Sequence, residues 1–259
     1  MKNRRIIKWG IPIAILIFAF LIYFYFLHRD NYGIYFFNLD RGRSVFIYSK
    51  SSTILINGGQ NSQILRELTK ILPFYRKNID TIILTRSDSK NVGGLIDIVK
   101  RYRVGEIIEP EIMGTSTALT IFEKTVLDNK IPIEKVKKGD KFEIDNIYFS
   151  ILFPDPNFKY NKTSMPEMVL NISYSTTSIL LLGDVSKTIQ KSFISEINKV
   201  DIIEYAHGAG DSRTSFDLFD KVDPEFVIIS KQINSTPFKR RNNAEIINLK
   251  EKGTRKFSF

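Results

Sequence analysis

The chain has 259 residues, of which 43% are hydrophobic and 25% charged; this is long enough for one substantial core and unlike a disordered or fibrous composition. It contains no cysteine and only two histidines, His28 and His207, which excludes a disulfide framework and a thiolate metal site and leaves very few imidazole ligands. Of the formal net charge of +10, Lys2, Arg4, Arg5 and Lys8 supply four, leaving +6 (10 − 4) for the rest: a mild excess, compatible with a polyanionic partner or with a solvated basic surface.

From Trp9 to Leu27 the sequence runs WGIPIAILIFAFLIYFYFL without a charge. This is close to the length that a helix needs to cross a hydrocarbon core about 30 Å thick. The basic residues precede the segment, so the positive-inside rule puts residues 1–8 in the cytoplasm and the rest of the chain outside the cell membrane. Trp9, Tyr23 and Tyr25 suit interfacial belts. A cleaved signal peptide is the competing reading, but the apolar run is long for one and no small-residue cleavage site follows it. Residues 9–27 are expected to be an anchor, 28–33 a linker and 34–259 one domain.

In that domain three short apolar runs, Ile34 to Phe37, Val45 to Tyr48 and Thr53 to Asn57, predict a strand meander closed by Gly58 and Gly59. Ile64, Leu65, Leu68 and Ile71 mark a helix over Gln63 to Leu72, which Pro73 ends. Thr81 to Leu84 reads as a buried strand, and the polar loop from Thr85 to Asn91 leads through Gly93 and Gly94 into a helix carrying Leu95, Ile98 and Val99. A strand at Glu106 to Ile108 and a helix from Ala118 to Leu127 follow. Further strands are expected at Ile147 to Phe153, Met168 to Tyr174, Ile179 to Leu182, Asp201 to Tyr205 and Phe226 to Ser230. Helices are expected at Thr188 to Ile197 and at Ser215 to Val222. Mixed sheets covered by helices on their outer faces would bury this many apolar strands.

In α/β architectures polar residues at strand ends carry the chemistry. Here they form a series: FFNLDRGRS from Phe36 to Ser44, ILINGG from Ile54 to Gly59, ILTRSDSKNVGG from Ile83 to Gly94, LLLGDV from Leu180 to Val185 and YAHGAG from Tyr205 to Gly210. This order resembles the metallo-β-lactamase-like domain of the competence protein ComEC family, over nearly all of residues 34–259. The resemblance implies a four-layer αββα sandwich, metal-dependent hydrolysis and a role in DNA uptake.

It also shows what has been replaced. In the first motif Asn38 and Arg43 stand for two aspartates, with Gly42 kept. Asn57 stands for the aspartate of the next step. In the central THxDxDHxGG-like motif Arg86 takes the place of the first His, Lys90 of the second Asp and Asn91 of the second His. Asp88, Gly93 and Gly94 remain. Gly183-Asp184 is intact, Ala206 precedes His207, and Thr236 stands where the late motif has His.

A catalytic zinc needs about three protein ligands and an open position, and only Asp88, Asp184 and His207 can be gathered. Arg86 and Lys90 would place fixed positive charges beside a dication. The expectation is therefore a non-catalytic binding or scaffolding module without a cofactor, contacting DNA or another polyanion, or serving a membrane protein complex. In it Arg86, with Lys90, would take the metal position in a charge-neutral cluster with Asp88 and Asp184. The alternative is a weak phosphodiesterase using one zinc or manganese on Asp88, Asp184 and His207. Basic patches at Lys100 to Arg103, Lys135 to Lys138 and Lys239 to Arg241 are candidate phosphate contacts or solvated faces.

Overall fold

The structure, a computed structural model, describes residues 3–28, 32–158, 167–205, 215–230 and 243–258. The first element is a 26-residue helix, α1 (Asn3–His28). Its side chains are described over residues 12–24, where Ile13, Leu16, Ile17, Phe18, Phe20 and Tyr23 are exposed. These positions point in all directions around a helix of 3.6 residues per turn, so no face of this stretch is packed. Among the described residues no helix is long and apolar enough to cross a membrane.

The domain is built on two seven-stranded sheets. In the first, β1 (Gly33–Phe36), β2 (Val45–Tyr48) and β3 (Thr53–Ile56) form the expected antiparallel meander. The parallel strands β4 (Asn78–Ile83), β5 (Arg103–Pro110) and β6 (Ile133–Val136) continue it. The second sheet repeats the plan: β7 (Lys141–Ile144), β8 (Ile147–Phe153), β9 (Val169–Tyr174) and β10 (Thr177–Gly183) are antiparallel, and β11 (Ile202–Tyr205), β12 (Phe226–Ile229) and β13 (Glu245–Asn248) follow in parallel. The chain ends in β14 (Arg255–Phe257), which returns to pair antiparallel with β1.

Both faces of each sheet are covered, which is why the central strands read as continuous apolar runs. Alternation along β1 shows the division. Ile34 and Phe36 enter the core between the sheets, with Ile54, Phe149, Leu181 and Ile228, while Tyr35 faces the outer helices. Those helices are α2 (Gln63–Ile71), α3 (Ser89–Arg101) and α4 (Thr117–Asp128), packed through Leu68, Leu95 and Phe122. On the far side α5 (Lys187–Phe193) and α6 (Phe216–Val222) cover the second sheet through Phe193 and Phe219; a one-turn α7 (Leu249–Lys252) follows β13. The layers are thus helix, sheet, sheet, helix. Ser116, Ser186 and Ser215 cap α4, α5 and α6 by accepting from backbone N–H groups of the first turn.

One buried charge on β5 lies outside this economy of partners. Glu109 is 3% exposed, its Oε1 is 3.8 Å from Lys135 Nζ, and its Oε2 has no hydrogen-bond partner among the described residues. Burial pushes its carboxyl above the usual 4.5, opposed by Lys135 and reinforced by Glu123. A carboxyl whose folded pKa is raised favours folding below the unfolded value and loses that contribution as pH rises through the folded value. Glu109→Gln is therefore expected to gain stability over the parent at pH 7, on the order of 1 kcal/mol. The gain should shrink as pH falls toward 4.5, as read by chemical unfolding at the two pH values.

Candidate functional site

The strand-end loops of both sheets meet at one edge of the sandwich, joined where Met168 N–H donates to Thr85 O at 2.8 Å. The β1–β2 loop brings Arg43 here, the β4–α3 loop Thr85, Arg86 and Asp88, the approach to β9 Glu167, the end of β10 Asp184, and β11 itself Glu204.

Arg43 is the hub. It is 8% exposed, and its Nη1 donates to Glu204 Oε2 at 3.1 Å, its Nη2 to Thr85 Oγ1 at 3.2 Å and its Nε to Asn91 Oδ1 at 3.4 Å. Its Nη2 also pairs with Glu167 Oε1. Ser230 Oγ donates to the other oxygen of Glu204 at 3.1 Å, and the Asp184 N–H donates to Glu167 Oε2 at 2.7 Å. Two carboxylates that are 2% exposed are thereby supplied with donors, without which their burial would be prohibitive.

Arg86 makes the second, shallower half. Its Nε lies 2.9 Å from Asp88 Oδ2 without an aligned N–H, and its Nη1 lies 3.3 Å from Glu167 Oε2 and 3.6 Å from Asp184 Oδ2. Glu167 is shared by both guanidinium groups. Asp88 has a further task as the cap of α3: its Oδ1 accepts from Lys90 N–H and from Asn91 Nδ2, each at 2.9 Å. Asn91 thus bridges Arg43 and Asp88 as a neutral group.

Asn57 sits one layer below, at φ 58°, a left-handed conformation that asparagine tolerates. Its Oδ1 accepts from Thr85 N–H at 3.0 Å and its Nδ2 donates to Thr85 Oγ1 at 2.8 Å. Gly183 is required on two counts: its φ is 64°, and a Cβ there would lie 2.4 Å from the Glu167 carboxylate and 2.7 Å from Arg43 Nη2.

Several expected participants stand elsewhere. Lys90 is exposed and makes no ion pair with a described carboxylate, because its place in the first turn of α3 commits its backbone, and not its ammonium, to Asp88. Asn38 lies outside the cluster, its N–H on Thr254 Oγ1 at 3.1 Å, in a separate cleft of about 360 Å³ shared with Gln63 and Glu67. Ala206, His207 and Thr236, with the patch at 239–241, lie outside the described residues. The described cluster is also not neutral: two guanidinium groups face four carboxylates, Asp88, Glu167, Asp184 and Glu204, a formal −2 (2 − 4).

The sequence reading missed Arg43 as a participant, and Glu167 and Glu204 altogether. The signal for Glu204 was present, since a carboxylate inside the apolar strand IIEY must find a buried cation. Glu167 carries no comparable mark.

The described residues of the site are not set out around a metal ion, and His207, the third candidate ligand, lies outside them. Among the described residues no group of three His, Cys, Asp or Glu side chains could hold one. The carboxylates are turned toward guanidinium groups that cannot be deprotonated. The cavity left among Arg43, Asn57, Thr85 and Glu204 is about 10 Å³, room for about one water molecule.

No family model matches the chain. It is 24% identical to ComE operon protein 3 of Bacillus subtilis over 164 residues (61% of this chain, 21% of that protein). It is 24% identical to Recombination protein 2 of Haemophilus influenzae over 237 residues (89% and 28%). The chain therefore spans only about a quarter of the length of these relatives. Among solved structures it is similar to the metallo-β-lactamase fold protein YhfI from Bacillus subtilis, with a TM-score of 0.60 at 11% identity, covering 83% of this chain and 95% of that one. It is also similar to a diphosphatase of the PhnP family, with a TM-score of 0.53 at 13% identity and 84% of each chain covered. The domain is a ComEC-like domain of the metallo-β-lactamase fold.

Proposed function

We propose that this ComEC-like domain is a non-catalytic binding or scaffolding module, held outside the cell membrane by α1, that contacts DNA or another polyanion or serves a membrane protein complex. The observation that carries the reading is the pair of guanidinium groups, Arg43 and Arg86, sharing Glu167 at the strand ends. The carboxylates that a dication would require are committed to them. The cluster acts as a clasp between the loops of the two sheets, using Asp88 and Asp184 as ion-pair partners instead of ligands. Nucleic acid enters through the name of the second relative, which refers to recombination, and through the basic excess of the domain.

The anchor is supported by the uncharged run from Trp9 to Leu27 within the continuous helix α1, and by its outward apolar side chains. The basic residues before it support a cytoplasmic N-terminus.

Metal content tests the reading. The full chain, purified in detergent and dialysed against trace zinc and manganese, is expected to retain no stoichiometric metal. Retention of about one equivalent, lost in Asp184→Asn, would overturn it in favour of a one-metal hydrolase on Asp88, Asp184 and His207.

A further inference from the structure

Strand direction fixes which end of the sandwich lies next to α1. The first residues of β1, β3 and β4 share one end with the last of β2: Gly33 pairs with Tyr48, Tyr48 with Thr53, and Ile54 with Thr81. Asn78 pairs with Arg103 at the same end of β5. From His28, the last residue of α1, to Tyr32 there are four Cα steps, a reach of at most about 15 Å whatever path they take. This end of the domain therefore cannot stand far from the end of α1. The ion cluster is at the opposite end, the length of a six-residue strand away, about 20 Å.

The end next to α1 has a distinct composition on the side of the first sheet. Phe74 and Tyr75, in the loop entering β4, are 76% and 60% exposed and stacked edge to face with each other at 5.5 Å. Around them Lys50, Lys77, Arg101 and Arg103 are exposed. The loops are tied together: Arg103 N–H donates to Lys77 O at 2.8 Å, Arg76 lies over the Tyr48 ring at 5.2 Å, and Tyr32 packs edge-on against Tyr48 at 5.0 Å. Of the nearby carboxylates, Asp80 is paired with Arg76 and accepts from Thr53, while Asp145 accepts from Ser49 and Ser51 and keeps its charge, one anion beside four exposed cations. Two aromatic side chains held out from a polar loop inside a ring of cations have the chemistry of an interfacial contact: rings at the level of the headgroups, cations on lipid phosphates.

We infer that the surface formed by Phe74 and Tyr75 with Lys50, Lys77, Arg101 and Arg103 rests on the anionic face of the membrane, directing the ion-cluster end away from the bilayer. This rests on the reading of α1 as a membrane anchor.

The chain has no cysteine, so the full-length variants Tyr75→Cys and Glu111→Cys each take one polarity-sensitive dye. Glu111 is exposed at the opposite end, just after β5. In vesicles of phosphatidylcholine and phosphatidylglycerol carrying a headgroup nitroxide lipid, the Tyr75→Cys label is expected to shift to the blue and lose emission to the quencher. The Glu111→Cys label should do neither. Adding Lys77→Glu, Arg101→Glu and Arg103→Glu should abolish the Tyr75→Cys response while the chain still floats with the vesicles. Flotation without quenching at Tyr75→Cys, or equal quenching of both labels, overturns the inference and leaves the anchor standing. A chain that does not float overturns the anchor and the inference together.

Discussion

Replacing Arg43 by methionine is expected to destabilise the domain by about 3–5 kcal/mol, the usual consequence of removing one partner from a buried ion pair. Methionine replaces the aliphatic stem but not the guanidinium, so part of the loss is the space left behind, and the larger part is electrostatic. It comes from Glu167 and Glu204, both about 2% exposed, which lose their principal cation. Among the described residues Glu204 would keep only Ser230 Oγ, and Glu167 would keep the Asp184 N–H and the more distant Arg86. Neutralising the orphaned groups should therefore rescue: the triple variant Arg43→Met, Glu167→Gln, Glu204→Gln should recover part of the loss, because neither buried carboxamide carries an uncompensated charge. Chemical unfolding of the parent, Arg43→Met, the Glu167→Gln, Glu204→Gln double variant and the triple variant gives the coupling directly. A loss below about 1 kcal/mol, typical of an exposed pair, would show that the clasp between the sheets is not an energetic unit.

How much of this was legible in the sequence follows from where each residue's partners come from. Central strands announced themselves because both faces are buried: Ile147 to Phe153 was bounded correctly as β8, and the meander and the helix ending before Pro73 were placed to within a residue or two. The strands that were missed, β6, β7, β13 and β14, are the four edges of the two sheets. IEKV, KFEI, EIIN and RKF are short and all but EIIN carry lysine, the composition that protects an edge from further pairing and also hides it from a hydrophobic pattern. The loops at the site were legible through their glycines and through Asp88 and Asp184. Their chemistry was not, because Arg43 and Glu204 are 161 positions apart and nothing local marks either as the other's partner. Lys90 shows the converse: position in a motif suggested a role for its ammonium, and the contact observed to Asp88 is through its backbone N–H.

The glycines of those loops carry the second large effect. Gly94→Ala is expected to destabilise the domain by about 3 kcal/mol, at the upper end of overpacking, since a Cβ there would meet Gly58 O at 2.1 Å and Asn61 O at 2.7 Å. Both obstacles are backbone, which cannot turn aside as a side chain could. Gly93 is as confined, with Gln60 O at 2.0 Å from its would-be Cβ. The closeness has a purpose visible in the hydrogen bonds: Gly94 N–H donates to Gly59 O at 3.0 Å, and Gly58 N–H donates to Asn91 O at 2.8 Å. The loop after β3 is thus laced through its backbone to the first turns of α3, and this lacing positions Asn91 and Asp88 beneath Arg43 and Arg86. None of it depends on the identity of a metal ligand. The glycines are required whether metal ligands or ion pairs stand above them, because the backbone approach supports either kind of clasp. Thermal unfolding of Gly94→Ala against an exposed control such as Gly139→Ala separates this from a general glycine effect. Gly139 has nothing within 4 Å of its would-be Cβ, although its φ of 95° adds conformational strain, so its loss should be the smaller. Equal losses would mean that the close approach of two loops is not what requires glycine at the site.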